Sequence, residues 1–268
     1  METYNKLTVI TGASQGLGYA FARSCAMRKR DLILVSLPNE NLETTARSLQ
    51  EEYKIKVLYF ETDLTKINRI NELVKNLAPY KINMLINNAG MGGTKKFKEA
   101  SVDYIQNIIS LNIQSLVLLT HQLLPFFCKN QQNYILNVAS LAAFSPMPYK
   151  TVYPASKSFV LSFSMGLSRE VKDLNIHVAV TCPGGLATNS EVSKRINSHK
   201  GIIQKSILTP KEVAEISINR LLKKKFVIIP GKINKLSVIF QKLVPVQTQM
   251  NVIGNKLQKE ILSYSSVG

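Results

Sequence analysis

The stretch LTVITGASQGLG, residues 7–18, decides the fold. Its first four residues are apolar or β-branched, and the residues after Gly18 are typical of a helix. A strand, a glycine-rich turn and a helix, in that order, form the context that a dinucleotide-binding loop requires. Gly12 permits a tight turn, Gly16 lets the backbone approach a pyrophosphate, and Gly18 lets the helix pack on the strand. A turn that uses its glycines for geometry alone is the alternative, and this motif by itself leaves it open.

A second motif, YPASK at residues 153–157, places a phenol and an ammonium on one face of a helical turn. A free tyrosine titrates near ~10, and a neighbouring cation favours its ionised form. We therefore expect Lys157 to lower the pKa of Tyr153 toward the working range. Ser140, upstream of the motif, offers a hydroxyl to an oxygen whose charge changes during a reaction. A solvated surface pair is the ordinary alternative.

Four further motifs follow predicted strands or lie on a predicted helix: Thr62-Asp63-Leu64, Asn87-Asn88-Ala89-Gly90, Asn112 and Pro183-Gly184. With the Gly-x-x-x-Gly-x-Gly spacing of the first loop and the YPASK motif, the set resembles the classical short-chain dehydrogenase/reductase family, from about residue 6 to residue 230. The resemblance implies an NAD(P)-dependent enzyme that interconverts a carbonyl and a secondary alcohol.

The resemblance also implies catalytic roles. Tyr153 would be the acid/base, and Lys157 would lower its pKa while hydrogen-bonding the nicotinamide ribose. Ser140 would orient the substrate oxygen, and Asn112 would hold a water molecule in the proton relay.

A larger set would bind the cofactor. In the family pattern, Asp63 and the Leu64 backbone hold the adenine edge, and Asn87 and Gly90 line the adenosine ribose region and stabilise the central sheet. Thr188 would hydrogen-bond the carboxamide. The full set is Gly12, Ser14, Gln15, Gly16, Leu17, Gly18, Ser36, Asp63, Leu64, Asn87, Ala89, Gly90, Tyr153, Lys157, Pro183, Gly184, Leu186 and Thr188.

Cofactor choice is usually decided at the end of the second strand, where an acidic residue selects NAD. This chain has Ser36 and Leu37 there, and Gln15 stands in the glycine loop where NADP-preferring relatives often have a basic residue. No carboxylate at this position repels the 2′-phosphate of NADP, and Ser36 and Asn39 could hydrogen-bond it. The pattern therefore favours NADP over NAD, although Leu37 offers the phosphate no charge partner.

The substrate pocket is expected from residues 91–93, from 141–149 and from the segment after Gly184. The stretch 141–149 is largely apolar and holds no arginine, which suits an acyl chain, a steroid or another hydrophobic ketone. Two other classes stay open. One is a non-catalytic nucleotide-sensing regulator on this fold, and the other is a basic protein that binds a membrane surface or nucleic acid.

The composition of the 268-residue chain fits one large α/β domain. Its three cysteines and three histidines are scattered, so we expect neither disulfides nor a metal site. We expect no signal peptide and no membrane span, since no apolar run reaches ~18 residues, and we expect a cytoplasmic protein. The net charge is +17, with fourteen Lys or Arg against three Asp or Glu in residues 193–268. We interpret the excess of positive charge as a solvated surface. Attraction to anionic ligands or lipids is an alternative interpretation, and we expect no nucleic-acid partner.

Apolar runs alternate with amphipathic stretches, which predicts a Rossmann-type, doubly wound α/β domain over residues 1–231 with a seven-stranded parallel sheet and helices on both faces. The predicted strands lie near 6–11, 31–36, 56–60, 82–87, 133–138, 176–181 and 226–229. The predicted helices lie near 16–29, 39–54, 66–78, 101–128, 151–173 and 210–223.

A C-terminal amphipathic helical extension is expected over residues 232–268. Apolar residues recur at helical spacing from Ile233 to Leu243 among lysines, Pro245 interrupts them, and a second set runs from Met250 to Ile261. We favour an extension that packs on the domain or on a second subunit of a homodimer or homotetramer. A peripheral membrane contact through 232–262, or a roof over the pocket, is the sharper alternative.

Overall fold

The sheet has seven parallel strands, as predicted, and their order is β3-β2-β1-β4-β5-β6-β7. The computed structural model describes residues 6–186 and 206–265. The order reverses between β1 and β4, which creates the crevice where ligands bind in open parallel sheets. The strands are β1 (Thr8–Thr11), β2 (Leu32–Ser36), β3 (Val57–Glu61), β4 (Met84–Asn87), β5 (Asn133–Val138), β6 (Ile176–Thr181) and β7 (Val227–Ile228).

Helices cover both faces of the sheet. They are α1 (Gly16–Ala26), α2 (Leu42–Tyr53), α3 (Ile67–Leu77), α4 (Val102–Ile109), α5 (Ser115–Leu123), α6 (Val152–Glu170), α7 (Pro210–Leu222), α8 (Lys232–Leu243) and α9 (Val246–Ser265).

The core forms because the central strands are apolar on both faces. All residues of β1, β2 and β4 are buried, which is typical of strands covered by helices on each side. On one face, α1, α2 and α7 pack on the sheet, with Phe21 and Leu49 completely buried. On the other face, α3 and α5 contribute Leu77 and Leu123. In the edge strand β3, by contrast, only Val57 is buried, and the residues after it alternate between half-buried and exposed.

The helix predicted over 101–128 is interrupted. Between α4 and α5 the chain forms a π-helical turn, Ser110–Gln114, and the buried side chain of Asn112 lies in it. Among the described residues, the stretch Val102–Phe126 is also the one helical segment long and apolar enough to cross a membrane by length and composition. Its Leu119 and Leu123 are buried in the core of the domain, so we interpret it as a core helix.

The extension forms two helices that continue from the domain. Asn234, on the first turn of α8, is buried and donates from Nδ2 to the carbonyl oxygens of Pro230 (2.9 Å) and Ser206 (3.0 Å). On α9, the side chain of Gln249 accepts a hydrogen bond of 2.8 Å from the Ser145 hydroxyl. The extension therefore packs against the loops that follow the carboxyl ends of the strands.

A single hydroxyl joins the first strand to the loop after β4. The Oγ1 atom of Thr11, which is buried, accepts hydrogen bonds of 3.0 Å from the backbone N–H groups of Asn88 and Ala89. The side chain of Asn88 donates in return to the carbonyl oxygens of Thr11 (3.0 Å) and Gly12 (3.1 Å). These bonds hold the glycine-rich loop against its neighbour across the crevice.

We expect Thr11→Val to lower the free energy of unfolding by about 2 kcal/mol, because it keeps the shape of the side chain but removes the acceptor of the Ala89 N–H and one of the two acceptors of the Asn88 N–H, which also bonds to the Ile86 carbonyl oxygen. Urea denaturation followed by circular dichroism measures this loss. Thr11→Ser is the matched control, since it retains the hydroxyl, and it should lose less than the valine variant. Equal stability of the valine variant and the wild type would show that these hydrogen bonds contribute nothing.

Candidate active site

An elongated crevice runs along the carboxyl ends of the strands. It consists of two cavities of about 760 Å³ and about 700 Å³. Both are lined by the same central residues, which are Leu17, Asn88, Gly90 and Met91. We call the larger cavity the glycine-loop half and the smaller one the YPASK half. The crevice lies at the reversal of strand order, where parallel sheets bind their ligands.

The glycine loop is shaped by two requirements that only glycine meets easily. Gly16 has φ +56°, in the left-handed region. A Cβ atom on Gly18 would lie 1.7 Å from the carbonyl oxygen of Gly12, so α1 could not approach β1 this closely with any other residue. The side chain of Gln15 does not cap α1, which leaves the first N–H groups of the helix to an anion at the crevice. This cradle fits the pyrophosphate of a dinucleotide.

Most of the cofactor residues expected from the sequence line the glycine-loop half. Asp63 is held at its rim, because its Oδ1 atom accepts hydrogen bonds from the backbone N–H (2.9 Å) and hydroxyl (2.7 Å) of Thr65. The lining residues that the sequence predicts are Gly12, Ser14, Gln15, Gly16, Leu17, Gly18, Ser36, Asp63, Leu64, Ala89 and Gly90.

Asn87 lines neither cavity, contrary to the expectation that it borders the adenosine ribose. As the last residue of β4 it points into the protein, where Nδ2 donates to Thr120 (2.9 Å) and Asn137 (2.8 Å). These hydrogen bonds support the other half of the expectation, which was that Asn87 stabilises the central sheet. Asn88, the next residue, borders the crevice instead. Because consecutive side chains along a strand point to opposite sides, the sequence already indicates that Asn87 and Asn88 do not both face the crevice.

A carboxylate that the sequence analysis missed lies in the glycine-loop half. Glu40 is in the turn between β2 and α2, and its Oε2 atom accepts a hydrogen bond of 2.5 Å from the hydroxyl of Ser14. Ser36 and Leu37, the residues considered for cofactor choice, line the same cavity. No sequence motif marks Glu40, because it lies in a turn four residues beyond the end of β2.

Ser140, Tyr153 and Lys157 come together in the YPASK half. Ser140 follows β5 and begins the 3₁₀ turn Leu141–Phe144, where its hydroxyl accepts a hydrogen bond of 3.1 Å from the Ala142 N–H. Tyr153 is in the first turn of α6, and Lys157 is one turn later on the same face. The Nζ atom of Lys157 lies 5.9 Å from the centre of the Tyr153 ring.

Lys157 is buried and bonded to the sheet. Its Nζ atom donates a hydrogen bond of 2.9 Å to the carbonyl oxygen of Val138, at the end of β5. Burial lowers the pKa of this amine from its ordinary value of 10.5 to about 8, and the neighbouring Cys182 opposes the shift. At neutral pH the amine is therefore still largely a cation, held in a site with little water around it.

The predicted lowering of the Tyr153 pKa is wrong for this structure. Burial raises the pKa of the phenol above its ordinary value, and a hydrogen bond from Ser140 lowers it by less. The expectation rested on the Lys157 cation. The cost of removing the phenolate from water is the larger effect here. The phenol thus stays protonated at neutral pH.

Asn112 lines neither cavity and supports the site from behind. Its Oδ1 atom accepts from the Met91 N–H (2.8 Å), and its Nδ2 atom donates to the Met91 carbonyl (2.9 Å) and the Ser156 hydroxyl (2.9 Å). It thereby joins the π-helical turn to the crevice loop and to α6. Such turns are frequent at functional sites, but nothing in the sequence period predicted one here.

The walls of the YPASK half agree in large part with the expected segments. Leu141, Ala142 and Met147 come from the stretch 141–149, but Lys150 and Ser206 add polar groups that the sequence analysis did not consider. Pro183, Gly184 and Leu186 also line this half. Thr188 lies outside the described residues.

The chain is similar to known proteins in sequence and in structure. A family profile described as short chain dehydrogenase matches residues 6–199. Among curated relatives, very-long-chain 3-oxoacyl-CoA reductase-B of Danio rerio is 31% identical over 68% of this chain and 60% of its own length. 17-beta-hydroxysteroid dehydrogenase type 3 of Homo sapiens is 32% identical over 74% and 64%, respectively. The chain thus spans less than two thirds of these two relatives. It spans 90% of an NADP-dependent 3-hydroxy acid dehydrogenase of Schizosaccharomyces pombe, which is 30% identical over 84% of this chain.

Solved structures share the fold. A short-chain dehydrogenase from Sphingobium yanoikuyae in complex with NADPH superposes with a TM-score of 0.76, is 28% identical, and covers 89% of this chain and 95% of its own. An alcohol dehydrogenase from Comamonas testosteroni, specific for bulky-bulky ketones, gives a TM-score of 0.75 at 28% identity, with 90% and 94% covered.

We expect Lys157→Met to change how stability depends on pH. Between pH 8 and 10.5 the unfolded chain binds a proton at this lysine that the folded protein does not bind, so wild-type stability rises with pH through that window. The variant lacks this contribution. Its melting temperature minus that of the wild type should therefore fall as the pH rises from 8 to 10. Thermal melts across that range measure it, and Lys98→Met is a control for the loss of one surface lysine. A difference that does not change with pH would contradict the assigned shift.

Proposed function

The chain belongs to the short-chain dehydrogenase family, and we propose that it is an NAD(P)-dependent oxidoreductase that interconverts a hydrophobic ketone and its secondary alcohol. The observation that carries the proposal is the meeting of Ser140, Tyr153 and Lys157 at one end of a crevice whose other end is a glycine-rich phosphate cradle. A nucleotide-sensing regulator on the same fold would not need a complete set of proton-transfer groups, so we favour the enzyme.

In the proposed mechanism, Tyr153 is the acid in the direction of reduction. Its raised pKa keeps the phenol protonated at neutral pH, and the phenol faces the cavity beside the Ser140 hydroxyl. The bound cofactor supplies the hydride. As the carbonyl oxygen gains negative charge, Ser140 donates a hydrogen bond to it and Tyr153 gives it a proton, which yields the alcohol.

Lys157 is proposed to stabilise the charge that remains after proton transfer. Because its amine is buried close to the ring and largely protonated at neutral pH, it favours the phenolate once Tyr153 has given up its proton. The family pattern also assigns it to the nicotinamide ribose, and the hydrogen bond of its Nζ atom to Val138, at the carboxyl end of β5, is compatible with that role. Asn112 is proposed to hold the proton-relay end of the site in place through Met91 and Ser156.

A hydrophobic substrate is supported by the pocket and by the relatives. The walls include Met91, Leu141, Met147, Leu186 and Ile207, which suit an acyl chain or a steroid. The matched relatives are named for 3-oxoacyl-CoA, a hydroxysteroid and a 3-hydroxy acid. We take the class, a lipid-like ketone or alcohol, as the proposal.

The extension adds a second proposal, which concerns location. On α8 the side chains of Leu236, Ile239, Phe240 and Leu243 form one face, and each is more than half exposed. Between Glu215 and Glu260 the sequence has eight lysines and no acidic residue. Two of these lysines, Lys232 and Lys235, are exposed on α8. We propose that this apolar face, with its basic surroundings, rests on an anionic membrane surface. A cytoplasmic location and a homodimer or homotetramer stay predictions of the sequence.

We expect Tyr153→Phe to reduce turnover by ~10² or more, because it removes the proton donor and keeps the ring. Folding and cofactor binding should persist. Steady-state rates with a panel of hydrophobic ketones and both reduced cofactors measure the effect, and Tyr59→Phe, an exposed tyrosine on β3, is the control. Near-normal turnover of the Tyr153 variant would remove this residue from the mechanism.

We expect the double substitution Phe240→Ser and Leu243→Ser to abolish binding to vesicles that contain anionic phospholipid, while turnover of a short soluble ketone persists. Vesicle flotation at low and high salt measures binding, and light scattering measures the oligomeric state. Leu174→Ser, at an exposed leucine away from the extension, is the control. If the wild type binds no vesicles and the double variant loses its oligomeric state, the face is a subunit contact and the membrane proposal is wrong.

A further inference from the structure

One side-chain amide joins α9 to the loop that forms a wall of the YPASK half. The Nε2 atom of Gln249 donates hydrogen bonds to the carbonyl oxygens of Gln241 (2.6 Å) and Val244 (2.8 Å), at the end of α8. Its Oε1 atom accepts a hydrogen bond of 2.8 Å from the hydroxyl of Ser145. The amide thus uses both of its N–H groups and its oxygen, and it connects three segments of the chain.

These contacts give the amide of Gln249 one orientation. A carbonyl oxygen only accepts hydrogen bonds, so the atom that faces Gln241 and Val244 is the nitrogen. Turning the amide over would set its oxygen against those two carbonyl oxygens. The amide oxygen therefore faces Ser145, whose side chain is buried.

Ser145 lies in the middle of residues 141–149, which we call the pocket loop. Leu141 and Ala142 before it, and Met147 after it, line the YPASK half, whereas Ser145 does not. Its hydroxyl is bonded to α9 instead. A hydrogen bond at this point therefore acts from behind on the position of the apolar wall.

Other contacts hold the pocket loop on two sides. A Cβ atom on Gly254 of α9 would lie 3.3 Å from the Cγ atom of Pro148, so a larger residue there would press on the loop. On the opposite side, the hydroxyl of Ser158 on α6 donates to the Ala143 carbonyl oxygen (2.8 Å). The pocket loop is thus fixed between the helix of the YPASK motif and the extension.

We propose that Gln249 is a positioning residue that makes the extension part of the substrate site. Through the Ser145 hydroxyl it holds the apolar wall in the position that binds a bulky ketone beside Tyr153. A small ketone touches little of the wall and depends much less on this link. Gln249 lies beyond residues 6–199, which the family profile matches, so the link belongs to the extension of this chain. The inference rests on the proposed function and adds a residue to its substrate site.

Two substitutions break the link from its two ends. Ser145→Ala removes the donor and leaves Gln249 bonded to the end of α8. Gln249→Met removes the acceptor and both donors, and it keeps the length of the side chain. Gln247→Met is the matched control, because Gln247 is an exposed glutamine on the same helix.

Steady-state rates with one bulky and one small ketone, at saturating reduced cofactor, measure the effect. We expect Ser145→Ala to raise KM for the bulky ketone ~5-fold and to leave its kcat nearly unchanged, since one neutral hydrogen bond is worth about this factor. KM for the small ketone and the Kd of the reduced cofactor should stay at their wild-type values, and Gln247→Met should match the wild type throughout.

A double variant tests whether the two residues act through one bond. Gln249→Met should raise KM for the bulky ketone at least as much as Ser145→Ala does. Adding Ser145→Ala to Gln249→Met should then change KM no further, because the bond is already absent. Independent, multiplying effects of the two substitutions would overturn the inference.

The other outcomes separate the inference from the proposed function. If KM for the bulky ketone is unchanged in both single variants, or if KM rises equally for both ketones, Gln249 does not position the wall, although the proposed function stands. If the wild type turns over no ketone with either cofactor, the proposed function and the inference both fail. Thermal melts identify a variant that unfolds at the assay temperature. Ser145→Ala, which leaves the end of α8 bonded, decides the question if Gln249→Met is such a variant.

Discussion

The close packing of α1 on β1 is the constraint on which the site depends. A Cβ atom at Gly18 would collide with the Gly12 carbonyl oxygen, so the helix comes this near to the strand only because that residue has no side chain. This contact fixes the direction of α1, and with it the direction of the N–H groups at its start. Thr11 and Asn88 then hold the same loop against the neighbouring strand. The crevice is the space left beside these contacts.

The sequence predicted the sheet well because buried parallel strands are continuous apolar runs. The order of motifs also predicted which residues meet, since the carboxyl ends of parallel strands lie at one edge. What it did not predict depends on contacts between distant residues. The π-helical turn at Asn112, the inward direction of Asn87 and the burial that raises the Tyr153 pKa all follow from packing against other elements.

Glu40 shows the same limit at shorter range. A carboxylate four residues after a strand has no defined position in the sequence, because a loop of that length can place it on either side of the sheet. Two left-handed asparagines turn it toward the glycine loop. Lys150 and Ser206 are similar cases. Both line the pocket wall from loops, and the sequence pattern did not assign either residue to that wall.

Asn234 gives the extension a direct connection to the YPASK half. One side-chain amide holds the Pro230 carbonyl before α8 and the carbonyl of Ser206, which borders the cavity. The apolar face of α8 and the pocket wall are thus parts of one hydrogen-bonded unit. A ligand that restrained this wall would also restrain α8 through the Asn234 amide, and a surface that held α8 would then act on the wall to the same extent in free energy. Under that condition, occupancy of the pocket and attachment of the helix would each be an effector of the other.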